Sequence, residues 1–112
     1  MPIQQGYVSG LIDVSVHSTT TDPIDIGPAA RMVGIIMADV SDTATISLQV
    51  APASGGTYRA LRKKDNSADW GLTATPAAPK AIYVEEGIPF RYFKVVSSVS
   101  QSVDVTFYLV TR

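Results

Sequence analysis

Cysteine is missing from this chain altogether. Disulfide staples and thiolate metal sites are therefore excluded, and a small domain without staples points towards intracellular synthesis. Histidine occurs once, as His17. A zinc centre needs three or four ligands, and a hydrolytic triad needs a base oriented by an acid beside a nucleophile. His17 has Asp13 near it in sequence but no serine in a nucleophile motif, so it is expected on a solvated strand face. No apolar run approaches the roughly 20 residues that span a bilayer. The opening MPIQQGYVSG has no basic segment followed by an apolar core, so no signal peptide is expected. Excess charge is lacking too. The formal net charge is −1, without the basic surplus of a nucleic-acid binder. Neither nucleic acid nor membrane is expected as a partner.

What is present is alternation. The chain has 112 residues, 46% of them hydrophobic, enough for one domain with a continuous core. From Phe90 to Arg112, two runs of β-branched and aromatic residues flank a polar centre, Ser97 to Ser102. In the first, Arg91, Phe93 and Val95 face one way and Tyr92, Lys94 and Val96 the other. In the second, Val103, Val105, Phe107 and Leu109 share a face. A period of two marks half-buried strands, and the two runs are expected to pair as a hairpin. A second hairpin is expected over Arg31–Val50. Its first strand is apolar on both faces, and its second alternates through Ala44, Ile46, Leu48 and Val50. Leu11–His17 reads as a strand with Ile12, Val14 and Val16 inward. Short strands are expected at Ile24–Ile26, Thr57–Leu61 and Ala81–Val84. Turns are expected at Arg62–Asp69 and Glu85–Gly87, and Thr73–Lys80 is a poor strand former.

These patterns predict an all-β domain of about seven to eight short strands in two packed antiparallel sheets, a jelly-roll-like β-sandwich. Residues 1–10 form an N-terminal arm or edge strand, and 11–112 the sandwich. The expected core is Ile12, Val14, Val16, Val33, Ile35, Ile46, Leu48, Val50, Phe93, Val95, Val105, Phe107 and Leu109.

No catalytic, cofactor-binding or metal-binding residues stand out. Glu85 and Glu86 are adjacent on an extended chain and point apart, so they cannot flank one glycosidic bond. The aspartates are scattered and lack the spacing of a calcium loop. Ser54-Gly55-Gly56 lacks the Lys-Ser/Thr of a phosphate loop. What remains is contact chemistry. Ile3, Tyr7 and Val8 could anchor an arm on a neighbour, and Arg62-Lys63-Lys64 could meet an acidic surface. Trp70, with Tyr58 and Tyr83, could either stack on sugars or plug an interface or core.

The strand types also match a known set. Ile24-Asp25-Ile26-Gly27, Val33-Gly34-Ile35-Ile36-Met37, Ala44 to Ala51, Gly56 to Leu61 and Arg91-Tyr92-Phe93-Lys94-Val95-Val96-Ser97 occur in that order. This succession resembles small virion proteins of tailed bacteriophages, over most of residues 24–112. In these, an I-x-L-G strand precedes a G-I-x-M strand, followed by T-I-S-x-Q-x-S, a Gly-rich loop and R-Y-x-K-x-x-S. The stretch Asp65–Lys80, with Trp70, has no counterpart. The resemblance implies a non-enzymatic protein on the virion, assembled in the host cytoplasm. It would be a homo-oligomer bound to the major capsid protein or another virion protein, as a capsid decoration or other head- or tail-associated component. Two alternatives stay open: a carbohydrate-binding module of a tail fibre or receptor-binding protein and, less favoured, a hydrolase with a site built from loops.

Overall fold

The computed structural model describes residues 6–28, 30–63, 66–77 and 80–112, with side chains for all of these except Lys80 and residues 82–87. Nine strands lie among the described residues: β1 (Gly6–Ile12), β2 (Ile24–Asp25), β3 (Met32–Met37), β4 (Ala44–Ala51), β5 (Arg59–Ala60), β6 (Gly71–Ala74), β7 (Lys80–Ile88), β8 (Tyr92–Ser97) and β9 (Val105–Thr111). The fold is all-β. One sheet has the order β1-β9-β3-β7, the other β2-β8-β4-β5, with β6 also paired to β4. Every pairing is antiparallel.

Each sheet takes alternate strands, so the chain steps across the sandwich at nearly every connection. The exception is β4 to β5 to β6, which stays in one sheet. β5 and β6 run along the same edge of β4, opposite Gln49–Val50 and Ala44–Ser47 respectively. They are two halves of one interrupted strand. Counted so, the order is that of an eight-stranded jelly roll, two interleaved Greek keys.

Neither expected hairpin forms. β8 and β9 lie in different sheets, and so do β3 and β4. The physical reason is in the connections. Ala38–Thr43 and Ser98–Asp104 contain neither Gly nor Asn, the residues that let a tight turn return a strand beside its predecessor. Each segment instead arches over the core. Gln101, 4% exposed, ties the two arches together. Its Oε1 accepts from the Ser41 N–H (2.9 Å), the Asp42 N–H (3.2 Å) and the Ser41 hydroxyl (3.1 Å). Its Nε2 donates to the Asp42 carbonyl (3.2 Å) and to Ser97 Oγ (3.1 Å). Its own N–H donates to the Ser18 carbonyl, 2.9 Å away. One buried amide thus satisfies backbone groups that no ladder reaches.

The core lies between the sheets, where the alternating rows meet. Ile46, Leu48, Phe93, Val95, Val105, Phe107 and Leu109 are fully buried, with Ile12, Met32, Ile35 and Met37. Val14 and Val50 are half-buried against them. Val33 is half-buried because a register shift between Met32 and Gly34 turns it off the inward row. Val16 is not in the core: it is 69% exposed. β1 ends at Ile12 because Asp13 accepts from the N–H (3.0 Å) and hydroxyl (2.6 Å) of Ser15, a local side-chain turn that competes with the ladder. β1 runs through residue 10, pairing β9 from Gly6↔Thr111 to Ile12↔Val105. Gly10 faces inward against β2; a Cβ there would collide with the Ile24 side chain, whose Cγ1 would be 2.9 Å away. Glu85 and Glu86 belong to β7 rather than a turn, and Gly71–Ala74 pairs with β4 despite its poor strand composition.

Replacing Gln101 with Leu should leave the Ser41 and Asp42 N–H groups without their acceptor and the Asp42 carbonyl without its donor, costing about 2–4 kcal/mol. Phe107→Ala should cost about 3–5 kcal/mol through its cavity. Urea unfolding of both variants measures this, and the Gln101 reading fails if its midpoint matches that of the unmodified chain.

Candidate interaction surface

The two outer faces differ in kind. On the five-stranded sheet, the outward row of β4 is Thr45, Ser47 and Gln49, and their neighbours include Thr73, Val96 and Lys94. On the four-stranded sheet, pairing aligns Ser9, Tyr108, Ile36 and Ala81 in one row across all four strands. Beside it run Tyr7, Val110 and Gly34 on one side and Leu11 with Thr106 on the other. Among the described side chains, no acid or base interrupts these rows. Tyr7 is 62% exposed, Tyr108 43%, Leu11 41% and Ile36 37%. Scattered exposed apolar side chains are ordinary; here the four are neighbours on one sheet face.

Charge collects at the ends of this face. Arg31 and Arg112, joined by reciprocal backbone hydrogen bonds of 3.1 and 3.0 Å, stand at one end. At the other are Asp13, Asp39 and Asp104, where Asp104 accepts the Val14 N–H at 3.0 Å. The Ser15 hydroxyl and N–H hold the Asp13 carboxyl below its ordinary range.

The contact residues expected from sequence are dispersed. Tyr7 is on the exposed face, while Val8 turns inward and packs on the core. Ile3 and Lys64 lie outside the described residues. Arg62 is engaged within its own loop, where its guanidinium donates to Asn66 Oδ1 (3.0 Å), the Asn66 carbonyl (2.9 Å) and Asp69 Oδ1 (3.0 Å). Asn66 takes a positive φ of 59° there, which asparagine tolerates well. Lys63 is exposed, and its N–H donates to the Ala68 carbonyl at 2.8 Å. Trp70 is half-buried against the core beside Leu61 and Leu72. Tyr58 donates to the Ser54 carbonyl at 3.0 Å, and its ring lies under Lys94 Nζ, 4.5 Å from the centroid. Burial, with the nearby Tyr92, raises the Tyr58 pKa. Tyr83 is on β7, but its side chain lies outside the described set.

Sequence reasoning did not name Leu11, Ile36 and Tyr108 among the contact residues. The available signal was β3 itself: a strand apolar on both faces belongs where both faces are covered, and the described residues cover only one.

Among the described residues, no three His, Asp or Glu side chains converge on a point. His17 pairs with Asp22, Nε2 to Oδ1 at 3.0 Å. Asp25 receives two hydrogen bonds from Arg91, at 2.8 and 3.0 Å, and one from the Gly27 N–H at 2.8 Å. The Arg91 bonds and then the Gly27 N–H hold the Asp25 carboxyl low.

No family model and no curated protein matches the chain. Among solved structures, a chain titled "Cyanophage Pam1 capsid asymmetric unit" is similar in chain path, with a TM-score of 0.44 and 11% identity over 99% of this chain and 89% of that one.

The Asp22 hydrogen bond raises the His17 pKa above its ordinary 6.5, against a smaller opposing effect of burial. The folded chain therefore binds this proton more tightly than the unfolded chain. The resulting stabilisation is complete below pH 6.5 and is lost as pH rises through the elevated folded value. The melting temperature should step down as pH rises above about 6.5, and Asp22→Asn should remove that step. An unchanged step in the variant would assign it to another group.

Proposed function

We propose that this protein is a non-enzymatic structural component of a bacteriophage virion. In this reading it decorates the head lattice as a symmetric homo-oligomer, with the outer face of the four-stranded sheet against the major capsid protein. The observation that carries the reading is the apolar face built from Tyr7, Leu11, Ile36 and Tyr108, uninterrupted by charge among the described side chains. Burying such a face contributes about 25 cal/mol per Å² of apolar area, multiplied over every copy on a repeating lattice. The acid and base groups at its two ends would fix orientation more than add affinity. The succession of strand types shared with small tailed-phage virion proteins supports the same assignment.

The sugar-binding reading has less to stand on. Trp70 packs one side on the core and Lys94 Nζ covers one face of the Tyr58 ring, so the two do not form the open aromatic platform that the sugar-binding reading rests on. A hydrolase would need acid, base and nucleophile brought together, and the described residues contain no such cluster.

The test is co-sedimentation of the purified chain with heads of its own phage from which it has been stripped. The unmodified chain should pellet with the heads. Ile36→Asp and Tyr108→Asp should stay in the supernatant with an unchanged far-UV spectrum, while Thr45→Asp, on the opposite sheet, should still pellet. Equal binding by all four proteins would remove this face from the interaction. Binding of none would remove the head from the proposal.

A further inference from the structure

A sheet edge presents unpaired N–H and C=O groups, and proteins protect edges by shortness, interruption or charge. Three of the four edges here follow that rule. β2 is 2 residues long. The β5/β6 edge is broken by the Leu61–Trp70 loop. β7 has Lys80, Glu85 and Glu86 in its sequence. β1 has none of these protections. It is 7 residues, GYVSGLI, without proline or charge. It pairs with β9 along its whole length and ends the sheet order, so its other side has no ladder partner among the described residues.

We infer that β1 is a self-pairing strand: a second copy of this chain adds its own β1 antiparallel to it across a two-fold axis, joining the four-stranded sheets into one. Full overlap of a strand spanning residues 6–12 places the axis at Ser9. Opposed residues share a face of the sheet, so the outward contacts follow directly. Tyr7 stands opposite Leu11 of the partner subunit, Leu11 opposite the partner's Tyr7, and Ser9 opposite its own equivalent. An aromatic–aliphatic cross-strand pair is stabilising, and here it occurs twice by symmetry. Both side chains are well exposed in the single chain, at 62% and 41%. On the inner side, Val8 is left half-buried by its own core and comes opposite the partner's Gly10.

Charge favours the same occupant. Antiparallel pairing lays the acidic end of one copy beside the basic end of the other. Asp13, just past β1, falls about two strand spacings, roughly 10 Å, from the row of the partner's Arg112. Like charges are never opposed in this register. An isologous contact of this kind closes at two copies, and the joined outer faces form one continuous apolar surface.

This gives the proposed homo-oligomer a surface, but it is measured in purified protein with no particle present, so its failure and that of the virion reading are separable. Light scattering on a sizing column should give about twice the 11.9 kDa chain mass. Ser9→Lys places two like charges face to face at the axis while its side chain points to solvent; its mass should fall to that of one chain with the far-UV spectrum retained. Ser9→Asp should behave likewise, and an equimolar mixture of the two should recover the double mass. In this cysteine-free chain, Ser9→Cys should cross-link on mild oxidation and Thr45→Cys should not. A single-chain mass for the unmodified protein, a mass above two chains, or a Ser9→Lys variant that stays dimeric would overturn the inference. So would equal cross-linking at both cysteine positions.

Discussion

One buried amide holds this architecture in register. A jelly roll must carry its chain from sheet to sheet over the ends of the core, and the segments that cross have no ladder to satisfy their backbone. Gln101 resolves this at one end of the molecule: its oxygen collects the N–H groups of the arch between β3 and β4, while its nitrogen reaches back to that arch and to the end of β8. A buried polar group is costly unless its partners are complete. A slip of either arch would leave several such groups unpaired at once. The network therefore fixes which residue of β9 enters the first sheet and which residue of β4 enters the second. The inward rows Ile46–Leu48, Phe93–Val95 and Val105–Phe107–Leu109 then meet face to face.

With the sheets in place, the two surfaces of the sandwich differ in chemistry. The five-stranded sheet presents Thr45, Ser47 and Gln49, residues content in water. The four-stranded sheet presents tyrosine, leucine and isoleucine. The central strands of the two sheets are built differently for the same reason. β4 alternates apolar with polar, as a strand with one wet face should, whereas β3 is apolar on both sides. No feature of the internal packing requires Ile36 to be isoleucine, since its side chain points away from the core.

Period-two reading located the inward faces of β4, β8 and β9 well, because alternation depends only on the geometry of an extended chain. It did not locate strand partners. Neighbours in sequence are most often neighbours in a sheet, and that default paired β8 with β9 and β3 with β4. The absence of Gly and Asn from both connections was the contrary signal. Val16 was misplaced because the hydrogen bonds of Asp13 to Ser15 end the strand before the alternation does. The broken strand β5/β6 was hard to read because its halves are only 2 and 4 residues long, and in β6 only Leu72 and Ala74 mark the inward row. Of the expected contact residues, Tyr7 reached the surface face, whereas Arg62 and Trp70 proved to be committed within the chain by a loop clamp and by core packing that spacing does not encode.

The pairing of Gly6 with Thr111 also bears on how the molecule is made. The first described strand is bonded to the last, and β3 takes the same late partner. Such long-range closure is slow to nucleate. On the ribosome, β1 and β3 must emerge and persist as exposed strand edges until β9 is synthesised, while β4, β5 and β6, close in sequence, can pair first. The nascent chain thus passes through a half-built stage in which β1 and the β9-facing edge of β3 lack their partner.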